Sequence, residues 1–581
     1  MRAPKRTPRP AEVGGALVEV KPVPGGRALR RDGPAAKRLA VIDVGSNSIR
    51  LLVAEVLDES SWRVIREERA MTRLAHGLSR SGSIAPESMA SSVEAISRFK
   101  AICDGLGARA RAFATAAVRD AANGADFRSL VKDRAGLTVE VISGLDEGRL
   151  TYKSVARAFD LSHGHCAVVD IGGGSMEVVQ SRDGIVFATA TAPLGAVRLT
   201  EAFGGAEDAA GRRFKELRRH CDRVLKKMLP DENAKPGLVV GCGGTFNTLA
   251  TIAAAERGVI IDRNSPAVRD MAPVSRTQLS AILRRLRGLA LSERLRVPGL
   301  PADRADIIIA GLCAVERLME RLGVTHALRH PGGVREGLLL MMIDEEAGRG
   351  GGGSADDVLA GARAFAARCR SPLGHSEHVA KLAMSLFDQF TADGRIIPRS
   401  PSVARERVLL EAAAVLHDIG VLVERPRHHK HSATMIRHAE LPGLTRREQE
   451  IVAMIARYHR RAEPSKKHAE FAAMPERDRA LVRRLAAVLR VADGLDRDHT
   501  QGVRGVRVLF RKGALAIGAD CAGECGENIR AAVKKGGLLG SVAEMEVEIG
   551  AAERNEGVGE EAKKRTRATK RNRRAGGEVN R

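Results

Sequence analysis

Two segments of the 581-residue chain, AVIDVGSNSIRLL from Ala40 and AVVDIGGGSMEVV from Ala167, read as copies of one another set 127 positions apart. Each is an apolar run, an Asp, a turn of small residues and a second run of alternating character. Gly45 in the first copy and Gly172, Gly173 and Gly174 in the second would let backbone amides approach an oxyanion with no Cβ in the way. Ser46, Asn47 and Ser175 add side-chain donors, with Ser48 beside them, so phosphate is the natural guest. Either loop alone is most simply a hairpin joining core strands. The repetition, with an Asp at the same place, favours two phosphate hairpins facing each other across a cleft. Each copy reads strand, turn, strand. The dinucleotide fingerprint and the P-loop need a helix after the glycines, and the chain has no Gly-Lys dipeptide, so both are excluded.

A third loop differs. In VVGCGGTFNTLATIAAAE from Val239 a strand runs into Gly241, Gly243, Gly244 and Thr245 and a helix follows, which presents amides where anions bind. Asp43, Asp170 and Glu177 occupy or flank the hairpins. Three carboxylates beside phosphate oxygens would repel the substrate unless a hard cation such as Mg²⁺ bridges them. Glu147, in VISGLDEGRL, follows a strand and opens a helix, a place from which a carboxylate can orient water for in-line attack. The plainer account of such a Glu is an acid favoured by the helix macrodipole.

These segments, with ATAAVRDAAN, APLGAVRLTE and PGGVREGLL, make seven motifs between Val41 and Leu339. Together they resemble the exopolyphosphatase and guanosine pentaphosphate phosphohydrolase family. The resemblance implies an actin-like fold (ASKHA) of two related α/β domains, with the active site between them. It implies that Glu147 is the catalytic base, that Asp170 and Glu177 serve Mg²⁺ and water positioning, and that Ser175 contacts phosphate. Arg119 matches an arginine near the phosphates, a role suited to a guanidinium. Asp146 stands where a second Glu is commoner, and Met176 replaces the usual Thr. The implied reaction is hydrolysis of the terminal phosphoanhydride of polyphosphate, or of guanosine pentaphosphate to guanosine tetraphosphate. Positioning and charge stabilisation would carry most of the acceleration. A homodimer is a family expectation.

Further along, LGHSEHVAKLA with His375, AAAVLHDIGVLV with His417 and Asp418, HHKHSATMI with His431, IARYHRR with His459 and LRVADGLDRDHT with Asp493 resemble the HD superfamily of phosphohydrolases. Such residues on separate helices can converge on one cation, and imidazole with carboxylate suits Mn, Fe or Zn more than Mg. Buried His and Asp also satisfy one another without metal. In long members of the first family this domain is regarded as an accessory that helps hold polyphosphate and build the dimer. Two other functions stay open: an HD-centred nucleotide phosphohydrolase, and a sensor that binds guanosine tetraphosphate with little turnover.

The elements that must position these residues follow from periodicity. Leu39–Val44, Ala112–Ala114, Val139–Ile142, Ala167–Ile171 and Leu238–Val240 read as strands between helical stretches such as Leu279–Leu291, an α/β pattern. GRGGGGS from Gly348 reads as a linker. The expected organisation is a disordered tail 1–37, actin-like domains 38–160 and 161–345, linker 346–355, an all-α HD-like domain 356–500, a small α+β module 501–550 opening with a hairpin from Gly505, and a tail 551–581. The formal charge is +24, but residues 1–38 carry ten Lys/Arg against three acids and 562–581 nine against one, so most of the excess is on the ends. Such arms attract polyanions loosely, and with one Trp and two Tyr there is no stacking platform for sequence-specific nucleic-acid binding. No apolar run reaches membrane-helix length and no secretory segment opens the chain, so the expectation is a cytoplasmic protein with no membrane partner. Its eight cysteines are expected as reduced thiols, because the couple Cys521 and Cys525 has no second couple to complete a zinc site.

Overall fold

The repeat in the sequence is a repeat of sheet topology. Arg38–Val44 (β1) pairs antiparallel with Ser48–Val56 (β2), which pairs with Trp62–Met71 (β3). Arg109–Ala114 (β4) lies parallel to β1, and Val139–Val141 (β5) parallel to β4. In the second sheet His165–Ile171 (β6), Met176–Arg182 (β7) and Ile185–Ala192 (β8) form the same antiparallel meander. Leu238–Cys242 (β9) lies parallel to β6, and Val274–Ser275 (β10) pairs with His326–Arg329 (β11), itself parallel to β9. The orders β3-β2-β1-β4-β5 and β8-β7-β6-β9-β11-β10 match strand for strand apart from the added edge β10. Both glycine hairpins are therefore strand–turn–strand, and the third glycine loop runs from β9 into a helix, as the sequence requires.

The computed structural model describes residues 37–58, 61–204, 211–229, 235–259, 272–347, 353–511 and 513–552. It also gives a short antiparallel ladder of Ala11–Val13 with Ala16–Val18, which the expectation of a structureless N-terminal tail did not include. The rest of that tail, the linker glycines 348–352 and the C-terminal arm from 553 lie outside the described residues. Two compact units are present, residues 1–352 with 438–440, and residues 353–437 with 441–581.

Two helices tie the sheets of the first unit together. Gly144–Ala158 (α1) leaves β5 of the first sheet yet packs on β6, β7 and β8 of the second. Its Val155, with Phe159, joins Cys166, Val168 and Val179 in one core. Gly243–Glu256 (α2) follows β9. Val334–Glu346 (α3) follows the second sheet yet packs on β1 and α1, burying Leu338, Leu339, Met342 and Ile343 against Leu39, Val41, Leu52 and Phe113. The α1–α3 crossing is so close that a Cβ at Gly337 would lie 2.0 Å from the Leu150 carbonyl oxygen.

In the second unit, helices Leu373–Asp393 (α4), Val403–Leu416 (α5), His428–His438 (α6), Arg446–Arg457 (α7) and Glu476–Gly494 (α8) precede a small sheet. There Val503–Arg511 (β12) pairs antiparallel with Ala514–Cys521 (β13), and Glu546–Ala551 (β14) runs parallel to β13. Gly526–Lys535 (α9) lies between these strands in sequence. The expectation of reduced thiols fails at one place: the end of β13 and the start of α9 bring the Cα atoms of Cys521 and Cys525 to 6.0 Å, within disulfide range, and the two are bonded. The other six cysteines are free and buried.

Candidate active site

The two hairpins face one cleft. Gly45, Ser46, Asn47 and Ser48 line it from one side and Gly172, Gly173, Gly174 and Ser175 from the other, with Gly243 and Gly244 at the head of α2. Thr245 does not line it; this residue is fully buried, its side chain packed toward Gly311. Gly243 takes a left-handed φ of 82°, and a Cβ there would lie 2.3 Å from Asp170 Oδ1, so only glycine lets the helix begin beside that carboxylate.

Glu147 enters the cleft because its neighbour takes the other role. Ser143 caps α1, accepting from the Asp146 amide while Asp146 returns a bond to the Ser143 backbone, so Asp146 is the N-terminal acid of the capping box. Glu147, only 6% exposed, turns instead to Arg119, whose Nη1 donates to its Oε1 at 2.7 Å. Arg119 also donates to the Ile142 carbonyl, which fixes the guanidinium at the end of the first sheet.

Asp43, Asp170 and Glu177 all line the cleft. Thr151 donates to Asp170 at 3.1 Å and Thr191 to Glu177 at 3.0 Å. Burial pushes Asp43 up to about 6, with Arg50 and Arg335 opposing, and Asp170 up to about 6. Glu147 is pushed up to about 7 by burial, against the pull of Arg119, and Glu177 is raised well above the usual range by burial and the neighbouring Glu147. These buried carboxylates offer oxygen donors only, which is what a hard cation accepts. Among the described residues no three cleft carboxylates bring oxygens within 4.8 Å of one another.

Sequence reasoning missed several cleft residues. Arg50 lines it directly opposite Asp43 in the β1–β2 register, the place that Glu177 holds opposite Asp170 in the β6–β7 register. Arg304 lies across the head of α2, where a Cβ on Gly244 would meet its Nη2 at 1.6 Å. Asn247, Thr115, Gly332, Gly333, Arg335 and Glu336 also line the cleft. Aligning the two sequence copies would have flagged Arg50, and Asn247 lies within the third loop segment; Arg304 carries no local signal.

The second constellation also converges. His417 Nε2, His428 Nε2 and His459 Nε2 lie 3.5, 3.0 and 3.6 Å from Asp418 Oδ1, and His375 Nε2 lies 3.6 Å from Asp493 Oδ1. His417, His428 and His459 each place Nδ1 on the backbone carbonyl three residues earlier, at 2.7–2.8 Å, and His375 Nδ1 meets Asp496 at 2.8 Å. A neutral imidazole donating through Nδ1 has only a lone pair at Nε2. Yet His428 Nε2 lies 3.1 Å from His459 Nε2, and the Nε2 atoms of His375 and His417 are buried without a hydrogen-bond partner. Arg460 Nη1 also reaches His428 Nε2, at 3.3 Å, and the imidazoles and carboxylates together form a donor set of the kind that transition metals take. His431, singled out in the sequence, points away to Glu424; His428, three residues earlier, takes the inward position.

The profile of the Ppx/GppA phosphatase family matches residues 52–346, and that of Ppx/GppA phosphatase domain III matches 362–511. The chain belongs to the Ppx/GppA phosphatase family. It is 34% identical over 306 residues to Exopolyphosphatase 1 of Mycobacterium leprae, covering 52% of this chain and 88% of that protein. It is 29% identical over 421 residues to the guanosine-5'-triphosphate,3'-diphosphate pyrophosphatase of Vibrio vulnificus, covering 72% and 80%. A solved exopolyphosphatase structure from Cytophaga hutchinsonii matches at 25% identity and a TM-score of 0.48, over 53% of this chain and 98% of that one. This family member is a hydrolase, and no helix among its described residues is long and apolar enough to cross a membrane.

Proposed function

We propose that this Ppx/GppA-family chain hydrolyses the terminal phosphoanhydride of linear polyphosphate, or of guanosine pentaphosphate, in the cleft of its first unit with the help of Mg²⁺. The observation that carries this reading is the buried Glu147, held by Arg119 at 2.7 Å and facing the two glycine hairpins. The substrates named for the Mycobacterium and Vibrio relatives support it.

In this reading the amides of the hairpins and of the head of α2 hold the oxygens of the terminal phosphoryl group, and Arg50 and Arg304 add fixed positive charge. Arg119 occupies Oε1 of Glu147, leaving Oε2 to accept a proton from water. The water oxygen bonds to phosphorus as the bridging P–O bond breaks, releasing orthophosphate and a chain one phosphate shorter. A base raised to about 7 is matched to work near neutral pH. One or two of Asp170, Glu177 and Asp43 would hold the cation, which supplies charge neutralisation at the phosphate oxygens. The test is phosphate release from each substrate by wild type, Glu147→Ala and His417→Ala. Loss in Glu147→Ala alone supports the cleft; loss in His417→Ala alone moves the chemistry to the second unit.

A second reading applies to the second unit. The convergence of imidazoles and carboxylates favours an HD-like centre holding Mn, Fe or Zn through His375, His417, Asp418, His459 and Asp493, with His428, 3.1 Å from His459, as a further ligand. Metal analysis of wild type against His417→Ala tests it.

A further inference from the structure

Asp493 is divided between two kinds of partner. Its Oδ1 faces His375 Nε2 at 3.6 Å and His417 Nε2 at 3.8 Å, while its Oδ2 is bonded to the ammonium of Lys535. Lys535 belongs to none of the histidine-bearing helices. It comes from α9, 42 residues after Asp493 and beyond residue 511, where the domain III match ends. Backbone packing fixes its approach: Gly494, adjacent to Asp493, meets α9 so closely that a Cβ there would lie 2.6 Å from the Cα of Ala532, one turn before Lys535. Arg490, also on α8, donates to the Lys535 carbonyl at 3.4 Å. The lysine side chain is 19% exposed, so it is not sealed inside the module.

A metal on Oδ1 and an ammonium on Oδ2 would share one carboxylate, two cations a few ångströms apart in a poorly hydrated place where like charges oppose each other strongly. A phosphate dianion seated between them removes the conflict, because a lysine ammonium and a metal ion are both ordinary partners of phosphate oxygens. We propose that Lys535 couples metal binding at the histidine–aspartate centre to binding of a phosphate-bearing anion. Without the anion the ammonium stays on Asp493 and weakens the metal; with it the ammonium turns to the phosphate oxygens and the metal tightens. The coupling is reciprocal, so the metal tightens the anion by the same factor. The inference rests on the reading of this centre as a metal site, and not on the reaction proposed for the cleft.

The experiment titrates Co²⁺ into the full chain and follows the visible absorption of cobalt held by imidazole, which separates this centre from the oxygen-only cleft. Titrations run alone, with inorganic phosphate and with a nucleoside 5'-monophosphate. Wild type should bind Co²⁺ about fivefold or more tightly with at least one of the two anions, the lower end of ordinary coupling. The more effective anion distinguishes free phosphate from a phosphate ester. Lys535→Met, which keeps the apolar stem, should bind Co²⁺ more tightly than wild type without anion and lose the anion effect. Lys535→Arg should retain it. Weaker cobalt binding by Lys535→Met, or wild-type binding indifferent to both anions, overturns the coupling alone. Absence of imidazole-bound cobalt from every variant overturns the metal centre and the coupling together.

Discussion

Arg119 Nη1 and Glu147 Oε1 stand 2.7 Å apart, and that bond joins the end of the first sheet to the helix that crosses to the second. The guanidinium does two things at once. It holds one carboxylate oxygen in place, and it opposes the burial that raises the Glu147 pKa.

Removing that guanidinium should therefore move the pH profile. The acid limb of kcat/KM for phosphate release, set by ionisation of a group raised to about 7, should shift to higher pH in Arg119→Leu, since the group that lowers the pKa is gone. A limb that stays put while kcat falls would show Arg119 acting on substrate and not on Glu147.

Glu147→Gln should lower phosphate release by about 10²–10⁴-fold, the usual contribution of a general base. The same substitution should raise the melting temperature of the metal-free protein at pH 8, because it removes a buried charge whose ionisation burial opposes. Loss of both activity and stability would mean that Glu147 serves the fold first.

Metal-free stability should fall as pH rises. Asp43 and Asp170, raised from 3.8 to about 6, and Glu147, raised from 4.5 to about 7, are more easily ionised in the unfolded chain than in the native one. Their contribution is fully present below pH 4 and is lost as pH climbs through 6 to 7. Thermal unfolding in chelator should show this decline between about pH 4 and 7, and Mg²⁺ should flatten it. A decline that Mg²⁺ leaves unchanged would place the ion elsewhere.

Gly337→Ala should destabilise the first unit by about 1–3 kcal/mol, the usual cost of forcing volume into a packed contact, because the Leu150 carbonyl occupies the Cβ position. Chemical denaturation measures it, and a smaller change would mean that α1 and α3 can separate without loss.

His428→Ala should lower the metal content of the second unit, whereas His431→Ala should not, since His431 pairs with Glu424 away from the centre. Equal effects would remove the distinction drawn between the inward and outward faces of α6.

Much of the cleft was legible in the sequence because glycines, acids and apolar runs lie next to one another there. The hairpins at Gly45 and Gly172, the strand-to-helix loop at Gly243 and the entry of Glu147 are local patterns, and local chemistry specifies them. What stayed hidden depends on distant partners. Arg50 sits in an alternating strand, where a charged residue reads as a solvent-facing position until its partner strand is known. Thr245 belongs to the same loop as Gly244, yet the turn of the helix carries its side chain into the core. His428 and His431 are equally polar letters, and only the packing of α6 selects between them. Lys535 reaches Asp493 from a module whose alternation predicts a hairpin and says nothing of where the following helix docks.

The pairing of Asp43 with Arg50 and of Asp170 with Glu177 gives the first unit a direction. Two copies with the same charges would make a cleft in which either side could stand for the other. Because one copy carries a cation where its twin carries an anion, the two walls cannot be interchanged. A linear polyanion has identical ends in solution; bound in this cleft as proposed, it would acquire a head and a tail.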